Sequence, residues 1–249
     1  MKNFALVTGA SSGIGEACAE LLAKDGRNLI LIARREERLA SLKARLESEH
    51  GVQVLTYKVD VSDLSQVEKF FEEIAGRDVD VLVNNAGLAL GKAVLDEHDW
   101  KDIEQMIDVN IKAFTRVAQL TIPFLRKTKG HIVNISSIAG REAYEGATVY
   151  CATKAYVKMM NQALRIDVHG SGVRVTDIAP GAVDTEFSEV RFRGDVGKAA
   201  AVYEGFVPLY AGDIAECVMF ALSRPASVNI DSIVVMPTAQ ATVMRVARG

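Results

Sequence analysis

Residues 4–15 read Phe4-Ala5-Leu6-Val7-Thr8-Gly9-Ala10-Ser11-Ser12-Gly13-Ile14-Gly15, an apolar run ending in a glycine-rich turn that opens into the helical stretch Gly13–Lys24. Glycines make such a turn tight and let a bound group approach the backbone closely. The helix N-terminus that follows offers free N–H groups to negative charge. The spacing is G-x-x-x-G-x-G, not G-x-G-x-x-G. The same strand-then-helix unit recurs outward from it. Further strand candidates are Asn28–Ala33, Gln53–Val59, Asp80–Asn84, His131–Ser136, Arg174–Ile178 and Ser232–Val235, with helical segments such as Glu36–Glu49 and Ser65–Ala75 between them. Several of these runs are apolar throughout, as strands buried on both faces are, so the alternation predicts a parallel sheet covered by helices on both sides. Asp63 and Asp99 precede helical stretches and read as N-caps.

The expected class is α/β: one doubly wound Rossmann domain over residues 1–249, with a seven-stranded parallel sheet flanked by helices. One segment breaks the alternation. Between Gly181 and Tyr210 charges are scattered among Gly194, Gly197, Gly205 and Pro208, which suggests a long excursion serving as a substrate lid at about 183–210. Apolar residues are 49% and charged residues 24%, an ordinary globular balance. With 29 Lys+Arg against 32 Asp+Glu the formal charge is −3, which gives no reason to expect nucleic acid or a membrane as partner. Cys18, Cys151 and Cys217 form no CxxC pair, and His50, His98, His131 and His169 are isolated, so no metal or disulfide framework is expected. The N-terminus lacks a signal-peptide pattern and no apolar run approaches ~18 residues, so the expected location is the cytoplasm.

The second strand ends Ile32-Ala33-Arg34-Arg35. NAD-preferring enzymes usually place an acid in this region for the ribose 2′-hydroxyl. An arginine instead fits a 2′-phosphate through paired, charge-assisted hydrogen bonds, so the expected cofactor is NADP. Farther on, Tyr150 and Lys154 stand four residues apart, on one face if helical. An ammonium near a phenol favours the phenolate, and a Tyr so placed could trade protons with an alcohol near neutral pH. Ser136-Ser137 closes an apolar strand, at the sheet edge where open α/β sheets bind ligands. A hydroxyl there can donate to a carbonyl oxygen as charge develops on it.

Together these residues resemble the short-chain dehydrogenase/reductase family. The resemblance rests on the turn Thr8–Gly15, Asp60-Val61, Asn84-Asn85-Ala86-Gly87, Asn110, Ser137, Tyr150, Lys154 and Pro180-Gly181, in order along residues 4 to 185. It implies Tyr150 as general acid for carbonyl reduction and base for alcohol oxidation, with Lys154 binding the nicotinamide ribose and depressing the phenol's pKa. It implies Ser137 as the group that orients the substrate oxygen, and Asn110 as holder of a water that extends the proton relay. For the cofactor it implies Gly9, Ser11, Ser12, Gly13, Ile14 and Gly15 at the turn, Arg34 and Arg35 near the 2′-phosphate, and Asp60, Val61, Asn85, Ala86 and Gly87 around the adenine. Pro180, Gly181, Val183 and Thr185 would flank the nicotinamide end.

The segments Ser136–Arg141, Tyr144, Thr185–Phe192 and Val228–Thr238 are similar to the family's NADP-dependent 3-hydroxy acid dehydrogenase branch. Its members act on serine, allo-threonine and related 3-hydroxy acids, or reduce malonic semialdehyde. Such a substrate needs a cation for its carboxylate. Arg141 and Arg191 are the candidates, with Tyr144 near them and Ser137 and Tyr150 at the reacting carbon. The rival reading is a broad carbonyl reductase on uncharged ketones and aldehydes, in which the arginines are incidental; an NADPH-binding regulator without catalysis is disfavoured by the intact Ser137, Tyr150 and Lys154. Trp100 reads as a helix-start anchor. The resemblance also implies a homotetramer, with Phe114, Leu120 and Met159 as apolar candidates at its interfaces.

Overall fold

The computed structural model describes residues 3–249; Met1 and Lys2, part of the stretch read for a leader peptide, lie outside the described residues. The strands are β1 (Phe4–Thr8), β2 (Asn28–Ala33), β3 (Val54–Lys58), β4 (Val79–Asn84), β5 (His131–Ile135), β6 (Arg174–Pro180), β7 (Val183–Asp184), β8 (Leu209–Tyr210) and β9 (Ser232–Val235). The helices are α1 (Gly13–Lys24), α2 (Glu36–His50), α3 (Leu64–Glu73), α4 (Trp100–Ile107), α5 (Phe114–Thr128), α6 (Thr148–Asp167), α7 (Glu186–Arg191), α8 (Val196–Ala201) and α9 (Ala211–Leu222). Seven strands pair in parallel in the order β3-β2-β1-β4-β5-β6-β9. The direction of winding reverses between β1 and β4, and at that reversal the carboxyl ends of the strands open a crevice.

Strand alternation divides the core. Ala5, Val7, Leu29 and Leu31 pack on one face under α1, α2 and α9, while Leu6, Ile30, Ile32 and Leu82 pack on the other under α3, α5 and α6. Because both faces are dry, β1 and β2 are apolar at nearly every position, the pattern seen in the sequence. Asp63 caps α3 by accepting from the Ser65 and Gln66 N–H groups, and Asp99 caps α4 by accepting from Lys101.

Several expectations need correction. The excursion after β6 contains two short helices, α7 and α8, and the two-stranded β7–β8 pair, none of which the sequence reading placed. Six-residue helices have under two turns, too few for hydrophobic periodicity to register. Trp100 begins α4 but is 64% exposed, so it anchors nothing within the chain. Phe114 is buried in the subunit core, whereas Met159 is exposed. Among the described residues no helix is long and apolar enough to cross a membrane, and no group of His, Cys, Asp and Glu is arranged to hold a metal.

Candidate active site

The carboxyl ends of β1, β2, β4, β5 and β6 line a cleft of ≈ 340 Å³. It begins at the glycine turn, where Gly9 and Gly13 adopt φ +66° and +55°, left-handed values that tolerate glycine best. Gly15 is required for a different reason: an added Cβ would meet the Gly9 carbonyl oxygen at 2.3 Å. Ser12 stands at the N-cap of α1, yet its hydroxyl caps nothing. It accepts instead from Arg35, 2.5 Å away. The first-turn N–H groups of α1 therefore keep their capacity for an anion. Arg35 also donates to Ser11 Oγ at 3.1 Å and Arg34 lines the same cleft, so a dinucleotide bearing an extra phosphate fits the residues present.

Thr8 fixes the opposite wall. Its hydroxyl accepts from the N–H groups of Asn85 and Ala86 at 2.9 and 2.8 Å, while Asn85 Nδ2 donates to the Thr8 carbonyl. This ties the end of β4 to the end of β1 and sets Asn85, Ala86 and Gly87 along the cleft with Asp60 and Val61. At the far end Pro180, Gly181, Val183 and Thr185 line it as well. A Cβ at Gly181 would lie 2.5 Å from Gln240 Oε1, so a side chain there would have to displace the amide that accepts from the Ala182 N–H.

The reacting groups meet where β5 and β6 end. Tyr150, in the first turn of α6, is 8% exposed, with the Ser137 hydroxyl close enough to favour its phenolate. Ser137 also accepts from the Ala139 N–H, which holds its side chain at the strand end. Burial pushes the phenol above its ordinary value of 10, and Ser137 and Arg191 pull the other way. The expectation that Lys154 depresses this pKa is not met by the protein alone. The ammonium donates to the Ile135 carbonyl at 3.0 Å and lies 6.0 Å from the phenol ring centroid, so desolvation dominates. Burial also lowers Lys154 itself, to about 8.

Asn110 enters from a π-helical segment, Asp108–Ala113, inserted between α4 and α5. Such insertions re-aim side chains and recur at functional sites. Its Nδ2 donates to the Leu88 carbonyl and Thr153 Oγ1, and its Oδ1 accepts from the Leu88 N–H with one further acceptor position left. A Cβ added at Gly87 would sit 3.3 Å from Asn110 Oδ1 and 3.4 Å from Lys154 Nζ, so these two atoms flank one small space that Gly87 keeps open.

The two arginines part company. Arg191 donates to the Tyr144 hydroxyl at 2.7 Å and to the Gly91 carbonyl at 3.1 Å, and its guanidinium lies 6.0 Å from the Tyr150 ring centroid. Arg141 turns away: it pairs with Asp177 at 3.0 Å and bonds Ser232, and it does not line the cleft. The buried Asp177 carboxylate thus holds the Arg141 guanidinium away from the residues that line the cleft. Two residues that sequence reading missed now matter. Glu186 of α7 pairs with Arg35 at 2.7 Å and also with Arg38, and Phe187 packs 5.7 Å from the Tyr150 ring. Arg35 and Glu186 are 151 positions apart, and no local pattern connects them.

The short chain dehydrogenase family model matches residues 3–195. The chain is 44% identical to the NADP-dependent 3-hydroxy acid dehydrogenase YdfG of Salmonella typhi over 239 residues, 94% of this chain and 95% of that one. It is equally 44% identical to sulfoacetaldehyde reductase 2 of Chromohalobacter salexigens, covering 97% and 96% of the two chains. A solved serine dehydrogenase, in its closed form with NADP+, superposes with a TM-score of 0.90 at 39% identity, covering 99% of this chain and 100% of the other. With the uncapped phosphate turn, the Ser137–Tyr150 contact and Lys154 placed as described, this protein is a member of the short-chain dehydrogenase family.

Proposed function

We propose that this enzyme is an NADP-dependent oxidoreductase that transfers hydride at the carbinol carbon of a small 3-hydroxy acid, of the serine, allo-threonine or 3-hydroxypropionate/malonic semialdehyde type. When bound, the nicotinamide supplies the hydride for reduction and accepts it in oxidation. Gly9, Gly13, Ile14 and Gly15 receive the pyrophosphate, and Ser11, Ser12, Arg34 and Arg35 receive the 2′-phosphate. Asp60, Val61, Asn85, Ala86 and Gly87 border the adenosine, while Pro180, Gly181, Val183 and Thr185 border the nicotinamide. In reduction Ser137 donates to the carbonyl oxygen and Tyr150 delivers the proton to it; a phenol kept protonated by burial is suited to that task. In oxidation Tyr150 accepts the hydroxyl proton, and Lys154 stabilises the phenolate. Asn110 is a clamp that holds Leu88 and Thr153 beside the relay.

The single observation that carries the substrate class is Arg191. Its guanidinium stands over the Tyr150 ring with two neutral oxygen partners, from Tyr144 and Gly91. A cation so placed suits the carboxylate of a substrate whose hydroxyl reaches Tyr150. Replacing Arg191 by Met should raise KM for the 3-hydroxy acid about 10- to 100-fold while leaving KM for the uncharged alcohol analogue within about twofold. Equal effects on both substrates would favour a carbonyl reductase on uncharged compounds, a reading supported by the apolar lining from Leu88, Val109, Phe187 and Val190. We further propose a cytoplasmic homotetramer, supported by the exposed Trp100, Met159 and Ile166 on α4 and α6.

A further inference from the structure

Asp177 is a carboxylate the mechanism has not used. It lies in β6 with a side chain 2% exposed, opposite Asn134 of β5 in the parallel register, so both side chains leave the same face of the sheet. That face is covered by α6, because Asn134 Nδ2 donates to Asn161 Oδ1 at 3.0 Å. Lys154 stands seven residues before Asn161, two helical turns along the same side, and its ammonium donates to the carbonyl of Ile135, the residue after Asn134. Asp177 Oδ2 accepts from Arg141 at 3.0 Å and from Ser232 Oγ at 3.1 Å. Its Oδ1 is buried and has no hydrogen-bond partner among the described residues. A buried carboxylate oxygen left without a partner costs stability, and a polar group kept at that cost calls for an explanation.

We infer that Asp177, held by Arg141, is a positioning residue of the proton-transfer pair: its charge maintains the Lys154 ammonium in a dry site and thereby sets the pH at which Tyr150 exchanges its proton. This rests on the reading of Tyr150 and Lys154 given above. The charged and titratable groups around Lys154 are few. Tyr150 and Cys151 come from its own helix, Asp177 from β6 with Arg141 behind it, and Arg191 and Tyr144 lie beyond the Tyr150 ring. Asn110, from the π segment, is neutral. Burial draws Lys154 down and Asp177 raises it. Arg141 is 26% exposed and holds the outer oxygen, so solvent screens its opposing field more than that of the buried carboxylate.

The decisive measurement is the pH profile of alcohol oxidation in Asp177→Asn. Without the anion Lys154 loses its proton at lower pH and the phenol becomes harder to ionise. The rising limb of kcat should then move up by about one pH unit, with about tenfold lower kcat at neutral pH and KM for the hydroxy acid within about twofold. Structural damage alone would lower activity at every pH without moving the limb. Should Asp177→Asn fail to fold, the double variant Asp177→Asn/Arg141→Met removes the charge pair as a unit and must show an upward shift of the same sign, smaller because the opposing Arg141 charge goes with it. A limb at the wild-type position in either folded variant overturns the inference. Tyr150→Phe is measured alongside: if it retains turnover, the underlying proton-transfer assignment is what fails.

Discussion

Lys154 shows how far this site gives up stability for chemistry. Its folded value of about 8 lies below the ordinary 10.5 because burial disfavours the charged form. Below pH 8 both folded and unfolded chains carry the proton and the folded one bears the full cost of burying it, on the order of 3 kcal/mol. Between pH 8 and 10.5 the unfolded chain binds more protons than the folded one, so stability rises with pH across that window and the cost disappears above it. Lys154→Met should therefore raise Tm at pH 7 by several degrees while abolishing turnover, and the gain should vanish near pH 10.5. A variant destabilised at neutral pH in calorimetry would contradict this account. Tyr150 and Lys154 were legible at the residue scale because an i, i+4 pair is a local pattern. Which way Arg141 turns was not, because its partner Asp177 is 36 positions away.

Among the elements, α7 depends most on its surroundings. Six residues make too short a helix to persist alone, so its position comes from its ends. Glu186, at its start, pairs with Arg35 and Arg38 beside the phosphate turn. Arg193, just past its end, reaches both Asp102 oxygens at 2.6 and 2.7 Å. Arg191 lies between these two ties. Cutting the second with Asp102→Asn removes this ion pair, which solvent screens on the Arg193 side. KM for the hydroxy acid should rise about three- to fivefold in steady-state kinetics, with kcat within about twofold; an unchanged KM in a folded variant would show that this tie does not position Arg191. The excursion itself was visible in the sequence as a break in the strand–helix alternation. Its two helices were not, and neither was the π segment that turns Asn110 inward, since one extra residue in a turn leaves no periodic trace.

For the molecule as a whole, the sheet order brings the glycine turn of β1, the Ser137 end of β5 and the Pro180 end of β6 to one crevice. The opposite consequence appears at the surface. Met159 and Ile166, 62% and 74% exposed, lie seven residues apart on α6, and the exposed Trp100 starts α4, a helix in contact with α6. Large apolar side chains grouped this way are expected to be covered by another copy. Light scattering should give a mass near four copies of 27.0 kDa, about 108 kDa, and Ile166→Asp with Met159→Asp should lower it. A monomer mass for the unaltered chain would end the tetramer proposal.

What the sequence determined by itself is what short-range patterning can encode: the apolar strands, the glycine turn, the Asp63 and Asp99 caps, and the spacing of Ser137, Tyr150 and Lys154. These follow from sterics, side-chain period and helix geometry within a few residues. What only the tertiary structure decided is the electrostatic state of those groups and the direction of the long side chains. Arg141 goes to Asp177, Arg191 to Tyr144 and Gly91, and Arg35 to Ser12 and Glu186. A guanidinium can reach several partners, and its choice depends on which buried charge the completed fold leaves to be answered. The same holds for Tyr150, whose phenol is raised chiefly by burial in the completed fold, a state that the i, i+4 spacing alone does not reveal.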